Sequence, residues 1–267
     1  MATVNRDVHL HSEFSFDGRS TIREFAERAL ELGLKEICIT DHQEVEYSTR
    51  VYRPYDGPAH EKSNLAMAEE YRGRVDVRFG TEMGLLWDTA EEAMARVAAH
   101  PYDFVILSAH WCDGAPEFHK PELWQGYTNR DVFTMHLKKV LEYMDLVNDY
   151  DVLGHLTYFS RWSPYEKIFR YTDAADMVDT LLKQVIARGK GIEVNTSSVV
   201  KQGVSLPDAD ILARYKELGG TIVTVGSDAH HVDHLGQNLQ YAADMLASVG
   251  FTHYSTYHGR KPVFHRL

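Results

Sequence analysis

The chain has 267 residues, 44% of them hydrophobic, and a formal net charge of −11. This length suits one α/β barrel, which typically takes about 250 residues, and it predicts a single domain over residues 1–267. The acidic balance, 39 Asp and Glu against 28 Lys and Arg, argues against a nucleic-acid partner, because proteins that grip a phosphate backbone normally present a clustered basic face.

The sequence does not indicate membrane insertion or export. No stretch approaches the roughly 20 uninterrupted apolar residues that a membrane helix needs. Asp7 and His9 come before any signal-peptide core could form. We therefore predict a soluble, cytoplasmic protein with no membrane partner, and the sequence leaves its oligomeric state open.

Apolar strand-like runs alternate with amphipathic helical stretches along the chain, as in a parallel sheet with crossover helices. The first helix begins after Thr21, which forms a capping box with Glu24, and it ends at Gly33. Further helices are predicted over residues 63–72, 89–98, 131–148, 172–188, 208–218 and 236–248. Strands are predicted over residues 8–10, 36–40, 75–82, 104–109, 151–155, 191–195 and 221–226, which gives seven strand-helix units. Residues 111–129 interrupt the alternation and are predicted to form a long polar and aromatic loop.

Nine imidazole or carboxylate side chains fall where metal ligands are expected. Parallel α/β sheets bind their ligands at the carboxyl ends of the strands, because loops there can vary while the opposite face maintains stability. Donors of these two kinds suit several first-row divalent ions. Asp17 lies in the first loop, and the other eight close predicted strands: His9, His11, His42, Glu82, His110, His155, Asp228 and His230.

The spacing of these donors supports a shared site. His9 and His11 are two residues apart, so on a strand both side chains point to the same face and can chelate one ion. Asp228 and His230 repeat this geometry on another strand. One His-x-His pair is a weak signal, but two such pairs with four further strand-terminal donors favour a metal centre.

The remaining histidines carry weaker signals. His231 and His234 directly follow the pair formed by Asp228 and His230, so either could face the pocket or the solvent. We take His231 as a candidate for proton transfer. The others have no partner spacing and are interpreted as surface residues: His60, His100, His119, His136, His253, His258 and His265.

Three residues are candidates for holding a substrate. Arg161 lies six residues after His155, in a loop on the same face of the predicted barrel. A guanidinium group matches a phosphate through paired hydrogen bonds, so Arg161 is also a candidate for a catalytic role. Asn195 and Lys201 follow the sixth predicted strand and are further substrate-binding candidates.

Taken in order, these motifs resemble the polymerase and histidinol phosphatase (PHP) superfamily over nearly the whole chain. The resemblance implies a distorted (β/α)7 TIM-like barrel with a trinuclear metal centre on its carboxyl face. The segments that carry it are His9-Leu10-His11-Ser12, Asp17-Gly18, Thr40-Asp41-His42, Gly80-Thr81-Glu82, Ser108-Ala109-His110, Gly154-His155 and Ser227-Asp228-Ala229-His230.

The resemblance also implies how nine ligands are shared among three divalent ions. Donors of this kind accept zinc, iron or manganese, so the sequence does not identify the metal. The implied sets are His9, His11, Glu82 and Asp228 for one ion, Glu82, His110 and His155 for a second, and Asp17, His42 and His230 for a third.

Within the superfamily, the chain looks most like the stand-alone histidinol-phosphate phosphatases. The features that carry this likeness are the chain length, the segment around Arg161, residues 193–197 and residues 259–262. This likeness implies a metal-dependent phosphomonoesterase that hydrolyses L-histidinol phosphate in histidine biosynthesis. The hypothesised mechanism is direct attack on phosphorus by a hydroxide that bridges the metal ions, with His231 or a metal-bound water as proton donor. The alternatives are a PHP phosphoesterase for nucleoside monophosphates or other small phosphate esters, and a non-catalytic, metal-stabilised binding domain.

Overall fold

The computed structural model describes residues 1–44, 55–84, 89–110, 120–164 and 169–267. The strands over these ranges are β1 (Arg6–Leu10), β2 (Glu36–Ile39), β3 (His42–Glu44), β4 (Asp76–Gly84), β5 (Phe104–Ser108), β6 (Val152–Leu153), β7 (Gly191–Asn195), β8 (Val223–Gly226), β9 (His253–His258) and β10 (Lys261–Arg266). The first eight form one parallel sheet in the order β1-β2-β4-β5-β6-β7-β8, with β3 also paired to β4.

Helices connect the strands of this sheet, as expected for crossover connections in a parallel sheet. They are α1 (Ile22–Leu32), α2 (Gly57–Glu70), α3 (Ala90–Ala98), α4 (Pro121–Gly126), α5 (Asn129–Leu146), α6 (Ala175–Ala187), α7 (Val199–Gln202), α8 (Ala209–Glu217) and α9 (Leu239–Ser248). The capping box predicted for α1 is present, because the Thr21 side chain accepts from the Glu24 backbone N–H and the Glu24 carboxylate accepts from the Thr21 backbone N–H. Among the described residues, none of the helices is both long and apolar enough to cross a membrane.

The two edges of the sheet meet and nearly close a barrel. Leu10 at the end of β1 forms a parallel bridge with Ala229, which follows β8. The His11 backbone N–H donates to the Ala229 carbonyl, and the Asp228 backbone N–H donates to the His9 carbonyl, both at 2.9 Å. The predicted distorted (β/α)7 barrel is confirmed, and its closure brings the first and last motifs of the chain side by side.

Alternating side chains divide the core into two parts. Val105 and Leu107 of β5 belong to the large cluster that includes the buried faces of the helices. Phe104 and Ile106 belong to a second, smaller cluster, together with Val8, Cys38, Val152 and Tyr257. Since successive side chains of a strand point to opposite faces, the smaller cluster fills the inside of the barrel below the carboxyl ends of the strands.

Several predicted element boundaries were wrong. Helix α2 begins at Gly57 rather than at residue 63, because Asp56 accepts from the Ala59 backbone N–H and a proline occupies the first turn. The strand predicted over residues 36–40 ends at Ile39, and the one predicted over 151–155 contains only Val152–Leu153.

The prediction of a continuous loop over residues 111–129 was also wrong in part. Residues 111–119 lie outside the described residues, whereas Pro121–Gly126 form α4 and α5 already begins at Asn129. The pattern also failed to predict the antiparallel hairpin of β9 and β10, whose turn residues Gly259 and Arg260 both have positive φ angles. Such a turn matches the twist of a two-stranded ribbon.

Candidate metal centre

The buried carboxylate of Glu82 lies at the centre of the candidate site. Glu82 is near the carboxyl end of β4, where it pairs in register with His42 of β3. The Ser108 hydroxyl donates to its Oε1 at 2.6 Å. Its two oxygens lie within 3.5 Å of five imidazole nitrogens: His155 Nε2 (2.7 Å), His42 Nδ1 (3.0 Å), His110 Nε2 (3.2 Å), His9 Nε2 (3.4 Å) and His11 Nε2 (3.5 Å).

Asp228 faces the His-x-His pair from the other edge of the sheet. Its Oδ1 is 3.2 Å from His11 Nε2 and 3.8 Å from His9 Nε2, and the two imidazole nitrogens are 3.1 Å apart. Asp228 has a φ of +56°. Residues other than glycine rarely adopt this left-handed conformation, and such residues cluster at functional sites.

Asp17 and His230 complete the ring of donors on the solvent side. The Oδ2 atom of Asp17 is 3.2 Å from His230 Nε2 and 3.7 Å from His42 Nε2. The His11 ring stacks between the rings of His42 and His230, with its centroid 4.2 Å from that of His42 and 4.1 Å from that of His230. Asp17 is partly exposed, so this part of the centre opens to the cleft.

The donor atoms form overlapping groups in which all atoms lie within 4.8 Å of one another. The groups are His9 with His11 and Asp228, His9 with Glu82 and His155, His42 with Glu82 and His110, and His11 with His42 and His230. Two atoms at the centre, Glu82 Oε2 and His42 Nδ1, are buried and make no hydrogen bond within the described part of the chain, although they lie 3.0 Å apart. Buried polar atoms without a hydrogen bond are costly, and a bound cation would satisfy both, so the residues present fit a metal cluster.

Two carboxylates that the sequence pattern did not predict, the buried Glu193 and the partly buried Glu44, support the ring from behind. Glu193 Oε1 lies 2.5 Å from His9 Nδ1, and Glu44 Oε1 lies 2.7 Å from His110 Nδ1. Carboxylates commonly accept the second ring N–H of metal-binding histidines and so leave the other nitrogen free for the ion. The sequence held one signal for each residue. Glu193 is a single acidic residue inside the apolar run of β7, where a buried charge needs a partner. Glu44 lies two residues after His42, so on a strand its side chain points to the same face.

The electrostatics of the ring favour added positive charge. Burial alone lowers the pKa of His9, but Glu193, Glu82 and Asp228 raise it well above its usual 6.5. Burial likewise lowers the pKa of His42, and Glu82 and Asp17 raise it to about 9. Burial raises the pKa of the Glu82 carboxyl, yet the surrounding imidazoles hold it well below 4.5. The ring therefore retains protons at neutral pH that a metal cation can replace.

The family model described as "PHP domain" matches residues 7–197 of this chain. The chain belongs to the PHP domain family. The resemblance predicted from the motifs is thus confirmed, since the matched span begins just before His9 and ends after Asn195. The ring of donors accordingly occupies the carboxyl face of a PHP barrel.

Named relatives match along almost their full lengths. A probable histidinol-phosphatase of Thermotoga maritima is 30% identical over 98% of this chain and 99% of the relative. A histidinol-phosphatase of Lactococcus lactis is 25% identical, over 96% and 95% of the two chains. The crystal structure of histidinol phosphate phosphatase from Lactococcus lactis, complexed with zinc, L-histidinol and phosphate, has a TM-score of 0.88 at 24% identity and covers 97% of this chain and 98% of that chain. This structural likeness shows that the two proteins share the PHP fold.

Arg161 reaches the PHP ring from the short 3₁₀ helix Tyr158–Trp162. Its Nη2 group donates to Asp228 Oδ2 at 2.6 Å and to Ser197 Oγ, and it lies 3.5 Å from Asn195 Oδ1. The guanidinium group also lies 4.9 Å from the centroid of the Tyr158 ring. Arg161 and Asn195, both predicted substrate-binding residues, are therefore brought together beside Asp228.

A cleft of about 690 Å³ opens above the ring, and Arg161, Lys201 and His231 all line it. Lys201 is exposed at its edge. The His231 side chain is 44% exposed, and its Nδ1 accepts from the Asp233 backbone N–H at 3.2 Å. Lys201 and His231 thus lie at the mouth of the cleft, whereas Arg161 contacts Asp228 of the ring directly.

Two of the histidines interpreted as surface residues are buried. His60 is fully buried on α2, where its Nε2 lies 3.2 Å from Asp41 Oδ2 and its Nδ1 lies 2.9 Å from the Tyr55 hydroxyl. His136 is buried on α5 against Phe159, with ring centroids 5.0 Å apart. The interpretation failed because neither helix gave a pattern that distinguished a buried polar position. His119 lies outside the described residues.

Proposed function

We propose that this protein is a metal-dependent phosphomonoesterase that hydrolyses L-histidinol phosphate to L-histidinol and phosphate, in histidine biosynthesis. The proposal depends on the convergence of nine imidazole and carboxylate donors, with Glu82 at their centre, directly beside the guanidinium group of Arg161. Full-length relatives named as histidinol-phosphatases support this substrate. The solved relative bound to zinc, L-histidinol and phosphate supports both the cofactor class and the reaction.

The nine residues would hold the divalent ions in the three sets that the family resemblance implies. The groups of neighbouring donors support these sets in part: His9, His11 and Asp228 fall together, whereas His42 is grouped with both His110 and His230. Glu82 suits the role of a shared ligand, because both of its oxygens face imidazoles from different strands. Divalent ions in such a centre supply the charge that lets a phosphate dianion approach a nucleophile, and they activate water at neutral pH.

Arg161 would bind the phosphoryl group. Its three polar contacts with Asp228, Asn195 and Ser197 are all made through Nη2. A guanidinium group carries further N–H donors on Nη1 and Nε, and these would bind phosphoryl oxygens in paired hydrogen bonds. Asn195 then acts by holding Arg161 in place. Lys201, exposed at the cleft edge, would attract the anionic substrate.

His231 would donate the proton that the departing alkoxide needs. Its Nδ1 accepts a hydrogen bond from the Asp233 backbone N–H, which leaves Nε2 as the ring nitrogen that can carry the transferable proton. The side chain is partly exposed at the mouth of the cleft, where a leaving group would enter solvent. Replacement by Gln would keep a polar side chain but remove the transferable proton.

The substrate is tested by comparing kcat/KM for L-histidinol phosphate, AMP and p-nitrophenyl phosphate, with the protein loaded with zinc or manganese. We expect the highest value for L-histidinol phosphate. A higher value for AMP would instead favour a nucleoside monophosphatase. A metal-loaded protein that hydrolyses none of the three would contradict a phosphatase function.

A further inference from the structure

Asp41 is a buried carboxylate outside the nine donors, between β2 and β3. It accepts hydrogen bonds from two serines of the loop that follows β1. The Ser12 backbone N–H donates to Oδ1 at 2.6 Å, and the Ser12 hydroxyl donates to Oδ2 at 2.6 Å. The Ser15 backbone N–H and hydroxyl both donate to Oδ1, at 3.1 and 2.8 Å. One side chain therefore ties the loop that carries Asp17 to the neighbouring strand.

The Ser15 hydroxyl connects Asp41 to two residues of the ring. It accepts from the His42 backbone N–H at 2.9 Å and lies 3.1 Å from His11 Nδ1. A hydroxyl has one hydrogen to donate and two lone pairs to accept with. The Ser15 hydroxyl donates its one hydrogen to Asp41 Oδ1 at 2.8 Å. His11 Nδ1 must then donate its own N–H to the hydroxyl oxygen.

This hydrogen-bond order decides which nitrogen of His11 is available to an ion. A neutral imidazole carries one proton, so a proton on Nδ1 leaves the lone pair on Nε2. Nε2 is the atom that faces the ring: it lies 3.1 Å from His9 Nε2 and 3.2 Å from Asp228 Oδ1. His9 has the same arrangement, with Glu193 directly on its Nδ1. In His11, a serine hydroxyl stands between the imidazole and the carboxylate.

We propose that Asp41 is a positioning residue of the metal centre, which acts through the Ser15 hydroxyl to keep His11 protonated on Nδ1 and its Nε2 lone pair directed at the ion. This proposal rests on the proposed metal centre but not on the identity of the substrate. Asp41 itself contacts none of the imidazoles of the ring at hydrogen-bond distance among the described residues. Its effect on the centre is therefore indirect.

Ser12 and Ser15 provide a matched pair of variants. Both serines are fully buried, and the hydroxyl of each donates to Asp41. Only the Ser15 hydroxyl also lies next to a ring histidine. Ser15→Ala and Ser12→Ala therefore remove the same group and one hydrogen bond to Asp41. Each also removes the acceptor of one backbone N–H, that of His42 for Ser15 and that of Phe14 for Ser12. Of the two variants, Ser15→Ala is the one that removes the partner of His11 Nδ1.

The test uses metal-free protein labelled with ¹⁵N-histidine, followed by titration with zinc against a competing chelator. In Ser15→Ala we expect the His11 nitrogen shifts to move from the Nδ1–H tautomer towards a mixture of tautomers. We expect zinc affinity to fall by about 10–100-fold, the usual effect of losing a residue that orients a metal-binding histidine. In Ser12→Ala we expect the wild-type tautomer and the wild-type zinc affinity.

Equal losses of zinc affinity in the two serine variants would overturn the proposal, and so would an unchanged His11 tautomer in Ser15→Ala. If Ser15→Ala does not fold, Asp41→Asn gives the same readouts, because an amide can donate where the carboxylate only accepts. Wild-type protein that binds zinc but does not cleave L-histidinol phosphate would refute the proposed substrate and leave the affinity comparison valid.

Discussion

Two buried carboxylates at opposite ends of the barrel, Glu82 and Asp151, have different surroundings. At the carboxyl end, imidazoles and carboxylates surround Glu82, and its Oε2 atom makes no hydrogen bond with any residue that the structure describes. At the amino end, Asp151 is also buried, yet its Oδ2 accepts from the Val105 backbone N–H at 2.8 Å and from Arg260 Nε at 2.7 Å. The surroundings of Glu82 are therefore suited to a ligand, whereas the hydrogen bonds of Asp151 are made within the protein.

The hairpin of β9 and β10 covers the amino end of the barrel and supplies the ion-pair partner of Asp151. Its Tyr257 stacks on Phe104 inside the barrel, with ring centroids 5.0 Å apart. The Gly259 backbone N–H in its turn donates to Asp103 Oδ1 at 2.8 Å, and Arg260 of the same turn pairs with Asp151. The amino end is therefore closed by packing and ion pairs, while the carboxyl end stays open through the cleft. We therefore expect mutations at the carboxyl end to change activity and mutations at the amino end to change stability.

The largest effect is expected from His9→Ala at the carboxyl end. Loss of a ligand to the central ions should lower kcat for L-histidinol phosphate by at least about 10³-fold, because metal charge stabilises the transition state by several kcal/mol. Steady-state kinetics would measure the loss, and far-UV circular dichroism would verify the fold. The control is His253→Ala, an exposed histidine on β9, which should keep wild-type kcat. Similar kcat values in the two variants would contradict the role of His9 as a metal ligand.

Arg161→Ala should have the next largest effect and act mainly on KM. A charge-assisted hydrogen bond to phosphate contributes about 1.5–3 kcal/mol, which corresponds to a rise in KM of roughly 10–100-fold. Arg161→Lys keeps the charge but loses the planar fork, so its KM should lie between those of wild type and Arg161→Ala. The measurement is substrate saturation with metal-loaded enzyme. A wild-type KM in Arg161→Ala would remove this residue from the phosphate site.

Arg260→Ala tests the amino end. Removing this side chain leaves the buried Asp151 carboxylate without its ion-pair partner, so the free energy of unfolding should fall by about 2 kcal/mol. The kcat and KM values at 25 °C should not change, because the hairpin lies away from the cleft. Urea unfolding of Arg260→Ala and of the exposed neighbour Lys261→Ala would measure this, with less than about 0.5 kcal/mol expected for Lys261→Ala. A loss of activity in folded Arg260→Ala would contradict the separation of the two ends.

The smallest expected signal is proton release on metal binding. The pKa of His42 is raised to about 9, and that of His110 lies well above 6.5 because Glu82 and Glu44 outweigh the lowering effect of burial. Groups with raised pKa values still hold protons at pH 7, and metal ligands must lose them. Manganese titrations by calorimetry in buffers of different ionisation enthalpy should therefore show protons released at pH 6.5 and fewer at pH 8.5. Heats that do not depend on the buffer at pH 6.5 would contradict this.

The sequence predicted those features that depend on local pattern. The alternation of strands and helices predicts the barrel, and the strand-end positions of His110 and His155 predict that they meet although 45 residues separate them. The nine donors do converge, because every parallel strand delivers its carboxyl end to one face. The division of these donors among ions remains a prediction.

Features that depend on three-dimensional contacts could not be predicted. Glu44 and Glu193 act through contacts with histidines far along the chain, and no spacing rule connects Glu193 to His9. His60 is buried because α2 packs its ring against Phe14 and Phe79, at centroid distances of 5.2 and 4.8 Å. The hairpin was missed because its strands follow the last helix and pair with each other rather than with the barrel sheet.

Anomalous diffraction from crystals of the zinc-loaded protein tests the central claim most directly. We expect a cluster of strong peaks within bonding distance of the nine donors, with Glu82 between two of them. Peaks elsewhere on the surface, or a ring that stays free of zinc at saturating concentration, would contradict it.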